Sequence, residues 1–91
     1  MISVQVFYEG HVQGVGFRFT VRHIAKGFDV TGSVRNLPDG RVQLQVTGEE
    51  HEVRAFLDRI GDSELHSLIR KQTENKLTEA VAARGFEIRH D

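Results

Sequence analysis

Two glycines spaced two apart, Gly14 and Gly16, stand in the stretch Gly10-His-Val-Gln-Gly-Val-Gly-Phe-Arg18, between an alternating apolar run and a helical one. No other stretch narrows the possible folds as much. Without a Cβ these positions admit backbone conformations closed to other residues, and no side chain there blocks a ligand. Successive N–H groups in such a loop converge on one point, and a helix starting at about Phe17 aims its free N–H groups and positive dipole end at the same place. Arg18, one step into that helix, carries a planar guanidinium able to fork onto two oxygens of a phosphate or carboxylate. The residues therefore point to a loop that holds a phosphate group.

The flanking patterns supply the frame such a loop needs. Ile2, Val4, Val6 and Tyr8 alternate with Ser3 and Gln5, which is the period of a half-buried strand, with Phe7 as the exception. After the loop, Phe17, Val21, Ile24, Ala25 and Phe28 form one apolar helical stripe that Gly27 helps to end. Val30 to Asn36 is a second strand. It turns through Leu37-Pro38-Asp39-Gly40, a type I turn with proline preset at its second position, into Val42, Leu44 and Val46, so an antiparallel hairpin is expected. Acidic residues from Glu49 open a second helix whose buried stripe is Val53, Phe56, Leu57 and Ile60, up to Gly61. Residues 62 to 84 settle on no pattern: Leu65, Leu68 and Ile69 fit helix and strand poorly, while Leu77, Ala80 and Val81 fit a helical template. Gly85 to His90 alternates again as a short final strand. The order β-α-β-β-α-β predicts an α+β, ferredoxin-like sandwich: two helices on one face of an antiparallel sheet, in a single domain spanning residues 1–91.

Composition removes several function classes. There is no cysteine, so disulfides, thiolate zinc sites, iron–sulfur clusters and thiol nucleophiles are excluded. Twelve basic and thirteen acidic side chains leave a net charge of -1, which gives no general attraction to nucleic acid or an anionic membrane. No apolar run approaches the roughly 20 residues of a membrane span, and the start of the chain lacks the charged and apolar regions of a signal peptide, so a cytoplasmic protein is expected, and a monomer is the default for so small and balanced a chain. The five histidines, His11, His23, His51, His66 and His90, show no metal-ligand spacing. Glu49, Glu50 and Glu52 are a solvated helix start.

The stretch Gly10–Arg18, together with Gly32-Ser-Val-Arg-Asn-Leu-Pro-Asp-Gly-Arg-Val42, resembles the two motifs of the acylphosphatases. That resemblance implies hydrolysis of acyl phosphates, mixed anhydrides of a carboxylic acid and phosphate, to a carboxylate and inorganic phosphate. It implies that backbone N–H groups of the first motif, at Gln13, Gly14, Val15, Gly16 and Phe17, cradle the phosphate while Arg18 binds the phosphoryl oxygens. Asn36 would hold the attacking water. Its carboxamide offers one acceptor and two donors and can orient water without changing protonation. The leaving carboxylate has a conjugate acid of pKa about 4, so no general acid is needed, and the substrate phosphate can serve as the base. No cofactor or metal is implied. The chain departs from the commoner pattern at Ser33, where an aromatic residue often stands, and in residues 62 to 84, which do not display the usual fourth strand.

Taken alone, Arg18 would be a surface salt-bridge partner and Asn36 a turn residue; their pairing with the glycine loop is what points to a site. Three other readings are open to a chain of this element order. RNA-recognition modules share it, but Arg41 to Thr47 carries none of the aromatics that stack on bases. The acylphosphatase-like domain of carbamoyl-transfer enzymes in hydrogenase maturation usually has proline after the arginine, where Phe19 stands here. The third is a domain that binds phosphate or an acyl phosphate without turnover.

Overall fold

The computed structural model describes residues 1–81 and 83–90. The order of elements is β1 (Ile2–Gly10), α1 (Phe17–Ala25), β2 (Val30–Asn36), β3 (Val42–Gly48), α2 (Glu50–Gly61), a single 3-10 turn (His66–Leu68), β4 (Ile69–Leu77) and β5 (Phe86–Arg89). The five strands form one sheet in the order β4-β1-β3-β2-β5. Among them β1 pairs antiparallel with β3 and β4, and β2 pairs antiparallel with β3, as expected for the sandwich.

Alternation along the strands decides which face is covered. Val4, Val6 and Tyr8 of β1, Val34 of β2 and Val42, Leu44 and Val46 of β3 are fully buried, in one core with Phe17 and Val21 of α1 and Val53, Phe56 and Ile60 of α2. Both helices thus lie on the same face of the sheet. Phe28, just beyond α1, packs its ring 5.9 Å from that of Phe56, which also meets Phe86 of β5 edge-on at 5.5 Å. The exception in the β1 pattern has a local cause: Phe7 lies on the helix-free face, where the Arg41 guanidinium sits 4.4 Å from its ring centre, a cation–π contact.

Residues 62 to 84, which settle on no pattern in the sequence, contain a 3-10 turn and the strand β4. Leu77, Ala80 and Val81 do not form a helix; Leu77 closes β4, and residues 78–81 are irregular, with Ala82 outside the described residues. The pattern was unreadable because β4 is an edge strand whose residues from Arg70 to Lys76 are all exposed, so burial imposes no alternation on them. Their charges also blunt the edge against pairing with other chains. The fourth strand of the sandwich is therefore β4.

The segment 85–90 supplies a fifth strand that joins β2 in parallel, so the sheet is mixed rather than wholly antiparallel. The chain must travel from one sheet edge to the other to make this pairing. It does so across the helix-free face, where the Val81 N–H donates to Thr47 Oγ1 (3.0 Å), itself 2.8 Å from Ser3 Oγ. Among the described residues, no helix is long and apolar enough to cross a membrane.

Candidate functional site

The loop between β1 and α1 takes the conformation that its glycines permit. Gly14 and Gly16 both have φ of 76°, and a Cβ at either would meet nothing within 4 Å, so backbone conformation rather than crowding requires glycine there. Gly16 is also the N-cap of α1, and no side chain caps the helix start. The free N–H groups of the first turn therefore face the loop's opening, with the positive end of the helix dipole behind them. Beneath them Phe17 is buried, its ring 5.2 Å from that of Tyr8, which fixes the height of the helix start above the sheet. Burial, and to a lesser extent the Glu74 charge, pushes the Tyr8 hydroxyl's pKa up, so it stays neutral.

The second part of the site arrives on β2. Asn36 ends that strand, on the same face as Val34, and its turn is tied by Gly40 N–H to Leu37 O (3.1 Å) and Leu37 N–H to Arg41 O (2.8 Å). Asp39 caps the turn by accepting from the Arg41 N–H (3.0 Å) and guanidinium (2.8 Å), bonds that hold its carboxyl pKa down. A strut joins turn to loop: Gln13 Nε2 donates to both Leu37 O (2.8 Å) and Arg41 O (2.9 Å). This side chain, expected only to contribute its backbone, is what brings two segments distant in sequence to one place.

Between them lies a cavity of about 260 Å³ lined by Val12, Gly14, Gly16, Phe17, Arg18, Phe19, Asn36, Ile88 and His90. Gly14, Gly16, Phe17, Arg18 and Asn36, all expected at the site, are thus brought together. Val15 packs its side chain against the core, and the Gln13 side chain faces the turn. His11 is exposed and does not line the cavity. The Asn36 Oδ1 atom is buried and has no hydrogen-bond partner; among the described residues Tyr8 Oη alone shares that state. Leaving a buried acceptor unpaired costs about 1–3 kcal/mol, so Asn36 holds a group ready to accept from whatever enters.

The last strand, whose position the pattern left open, completes the wall. Arg18 donates from Nη1 to the Arg89 carbonyl (3.1 Å), with His90 Nδ1 at 3.3 Å, so the end of β5 orients the guanidinium. Ile88 reaches the cavity because parallel pairing sets it beside Val34. Alternation placed Phe86 and Ile88 on one side of that strand, but no signal in the sequence named its neighbour. A larger cavity, about 510 Å³, lies across the sheet under residues 77–81 and is lined by Ser33, Arg35, Gln43, Gln45 and Arg89 among others. It has neither the glycine loop nor Asn36. The departure at Ser33 therefore falls on the helix-free face, away from the walls around Arg18.

The acylphosphatase family model matches residues 4–88. The acylphosphatase of Archaeoglobus fulgidus is 43% identical over 60 residues, which are 66% of this chain and 67% of that protein. Alignments with other acylphosphatases span from 55% to 100% of their lengths. Among solved structures, the acylphosphatase from Bacillus subtilis superposes with a TM-score of 0.86 at 27% identity, over 97% of this chain and 98% of that one. HypF of T. kodakarensis contains a similar domain, with a TM-score of 0.83 at 27% identity, covering 100% of this chain and 12% of that much longer one. With glycine loop, arginine and asparagine gathered on one ferredoxin-like sheet and the family match running almost end to end, the chain belongs to the acylphosphatase family.

Proposed function

We propose that this protein hydrolyses acyl phosphates at the cavity between the 10–18 loop and Asn36, as one acylphosphatase domain over residues 1–91. The observation that carries the reading is the buried, partnerless Asn36 Oδ1 in the same cavity as Arg18 and the uncapped start of α1. The substrate's phosphate sits against the N–H groups of Gln13 to Phe17 and accepts from the Arg18 guanidinium. A water donates one proton in a hydrogen bond to Asn36 Oδ1, which turns its lone pair toward phosphorus. The water oxygen bonds to phosphorus as the bond from phosphorus to the acyl oxygen breaks; the electron pair leaves on the carboxylate, a phosphoryl oxygen takes up the water's other proton, and the proton facing Asn36 stays on the attacking oxygen. An acyl phosphate dianion and water thus become a carboxylate and dihydrogen phosphate.

Arg18 supplies fixed positive charge to the phosphoryl oxygens, and the cradle fixes direction of attack, so positioning and charge stabilisation supply the catalysis. The carboxylate leaves without help from an acid. The rival reading, a domain that binds phosphate without turnover, keeps the loop but gives Asn36 Oδ1 no task.

The test is release of phosphate from benzoyl phosphate in the presence of a chelator. The natural protein turns over, and Asn36→Ala loses roughly 10²–10³ in kcat, the usual cost of one preorganised polar group, with KM nearly unchanged. Turnover that Asn36→Ala retains in full would refute the role of Asn36. Stabilisation by inorganic phosphate without any turnover would favour the binding domain.

A further inference from the structure

The proposed reaction accounts for the phosphate end of the cavity and leaves the acyl end unassigned. One residue there breaks the pattern of its helix. The buried positions of α1 are Phe17, Val21 and Ala25; Arg18 and Thr20 are half-buried at its flanks, and its outer surface carries the exposed Arg22 and His23, as a solvent-facing surface should. Phe19 lies on that outer surface, 68% exposed. Among the described residues, only Met1 is a comparably exposed large hydrophobic side chain.

The ring is not at an arbitrary place. Phe19 follows Arg18 directly and lines the 260 Å³ cavity together with Ile88, which is partly buried. Val12 and Phe17 in the same wall are already covered to 1% and 2% exposure, so little of their surface is left to give. The phosphate is fixed at the loop backbone and Arg18, and Asn36 with its water must stand in line behind phosphorus. The acyl group then leaves on the side opposite the water. The largest apolar surface still available to it is the Phe19 face, with the partly buried Ile88 beside it.

We propose that Phe19 is a specificity-determining residue that receives the acyl group, and that the substrates this protein favours are acyl phosphates with an aromatic or bulky apolar acyl chain. The inference rests on the acyl phosphate reading above. Covering about half a phenyl ring, roughly 50 Å² at 25 cal/mol per Å², corresponds to about tenfold in kcat/KM. Acetyl phosphate, with a single methyl group, is too short to gain it.

The experiment compares benzoyl phosphate with acetyl phosphate for the natural protein, Phe19→Leu and Phe19→Ala, each checked for folding by circular dichroism. In Phe19→Ala, kcat/KM for benzoyl phosphate falls about tenfold, mainly through KM, while that for acetyl phosphate changes less than about twofold; Phe19→Leu lies between. The non-hydrolysable benzylphosphonate loses affinity in the same proportion and methylphosphonate does not. Equal losses on both substrates, or none on benzoyl phosphate, would overturn the acyl role of Phe19 while leaving the hydrolase intact. Absence of turnover of both substrates by the natural protein would overturn the hydrolase reading, and the inference with it.

Discussion

Replacing Arg18 by alanine lowers kcat/KM for benzoyl phosphate by roughly a thousandfold or more, the scale at which removal of a single charge-stabilising arginine acts in phosphoryl transfer. Two features of the site set that size. The guanidinium is the cationic side chain in the cavity, and it is preoriented by the Arg89 carbonyl at 3.1 Å, so no reorganisation is needed as charge moves onto the phosphoryl oxygens. Lysine at this position restores only a small part, because an ammonium cannot fork onto two oxygens and cannot keep the same hold on β5. The fold barely registers the change: two exposed hydrogen bonds, to the Arg89 carbonyl and to His90 Nδ1, are lost, together worth about 1 kcal/mol. Steady-state kinetics beside a urea melt separates the two effects. A variant with normal melting and normal kcat/KM would remove Arg18 from the mechanism.

A large loss of stability is expected at Gly32→Ala. Gly32 has ordinary extended backbone, so its need for glycine comes from crowding: a Cβ there would lie 3.0 Å from Gln45 C and Val46 Cα, and closer still to the Gln45 carbonyl oxygen. These are backbone atoms of β3, the central strand, which cannot move aside as a flexible side chain could. On the other side Gly32 N–H donates to Gly85 O (3.0 Å), so the strand cannot retreat without losing β5. Overpacking of this kind costs about 2–4 kcal/mol, or a drop in melting temperature of more than about 10 °C for a domain of this size. Asn36 stands four residues along the same strand, so activity falls with stability. A variant with unchanged melting temperature would mean that β2 and β3 are not held this closely.

Much of this was legible because single residue types carry single physical demands. Proline and glycine in Leu37–Gly40, between strict alternations, admitted one hairpin, and its register places Asn36 opposite Val42. The glycine pair before an amphipathic stretch made the anion loop readable. Other features depend on partners that no local pattern specifies. β4 carries polar residues on both faces, since an edge strand needs no buried one, and so resembles neither period. The pairing of β5 beside β2 is decided by a crossing of the whole sheet, yet it supplies Ile88 and His90 to the site. Gln13 belonged to the motif, but its two bonds to the β2–β3 turn require knowing that the turn is overhead. Phe19 lies outside the apolar stripe of α1, and its exposure at the cavity shows only once the site is assembled.

The central claim is that water held by Asn36 attacks phosphorus. The most direct measurement is hydrolysis of benzoyl phosphate by the natural protein in water enriched in heavy oxygen, with both products weighed by mass spectrometry. Attack at phosphorus puts one heavy oxygen into each inorganic phosphate and none into benzoate. Heavy oxygen in the benzoate would place the attack at the carbonyl carbon and contradict the assignment of Asn36 and the loop to phosphoryl transfer.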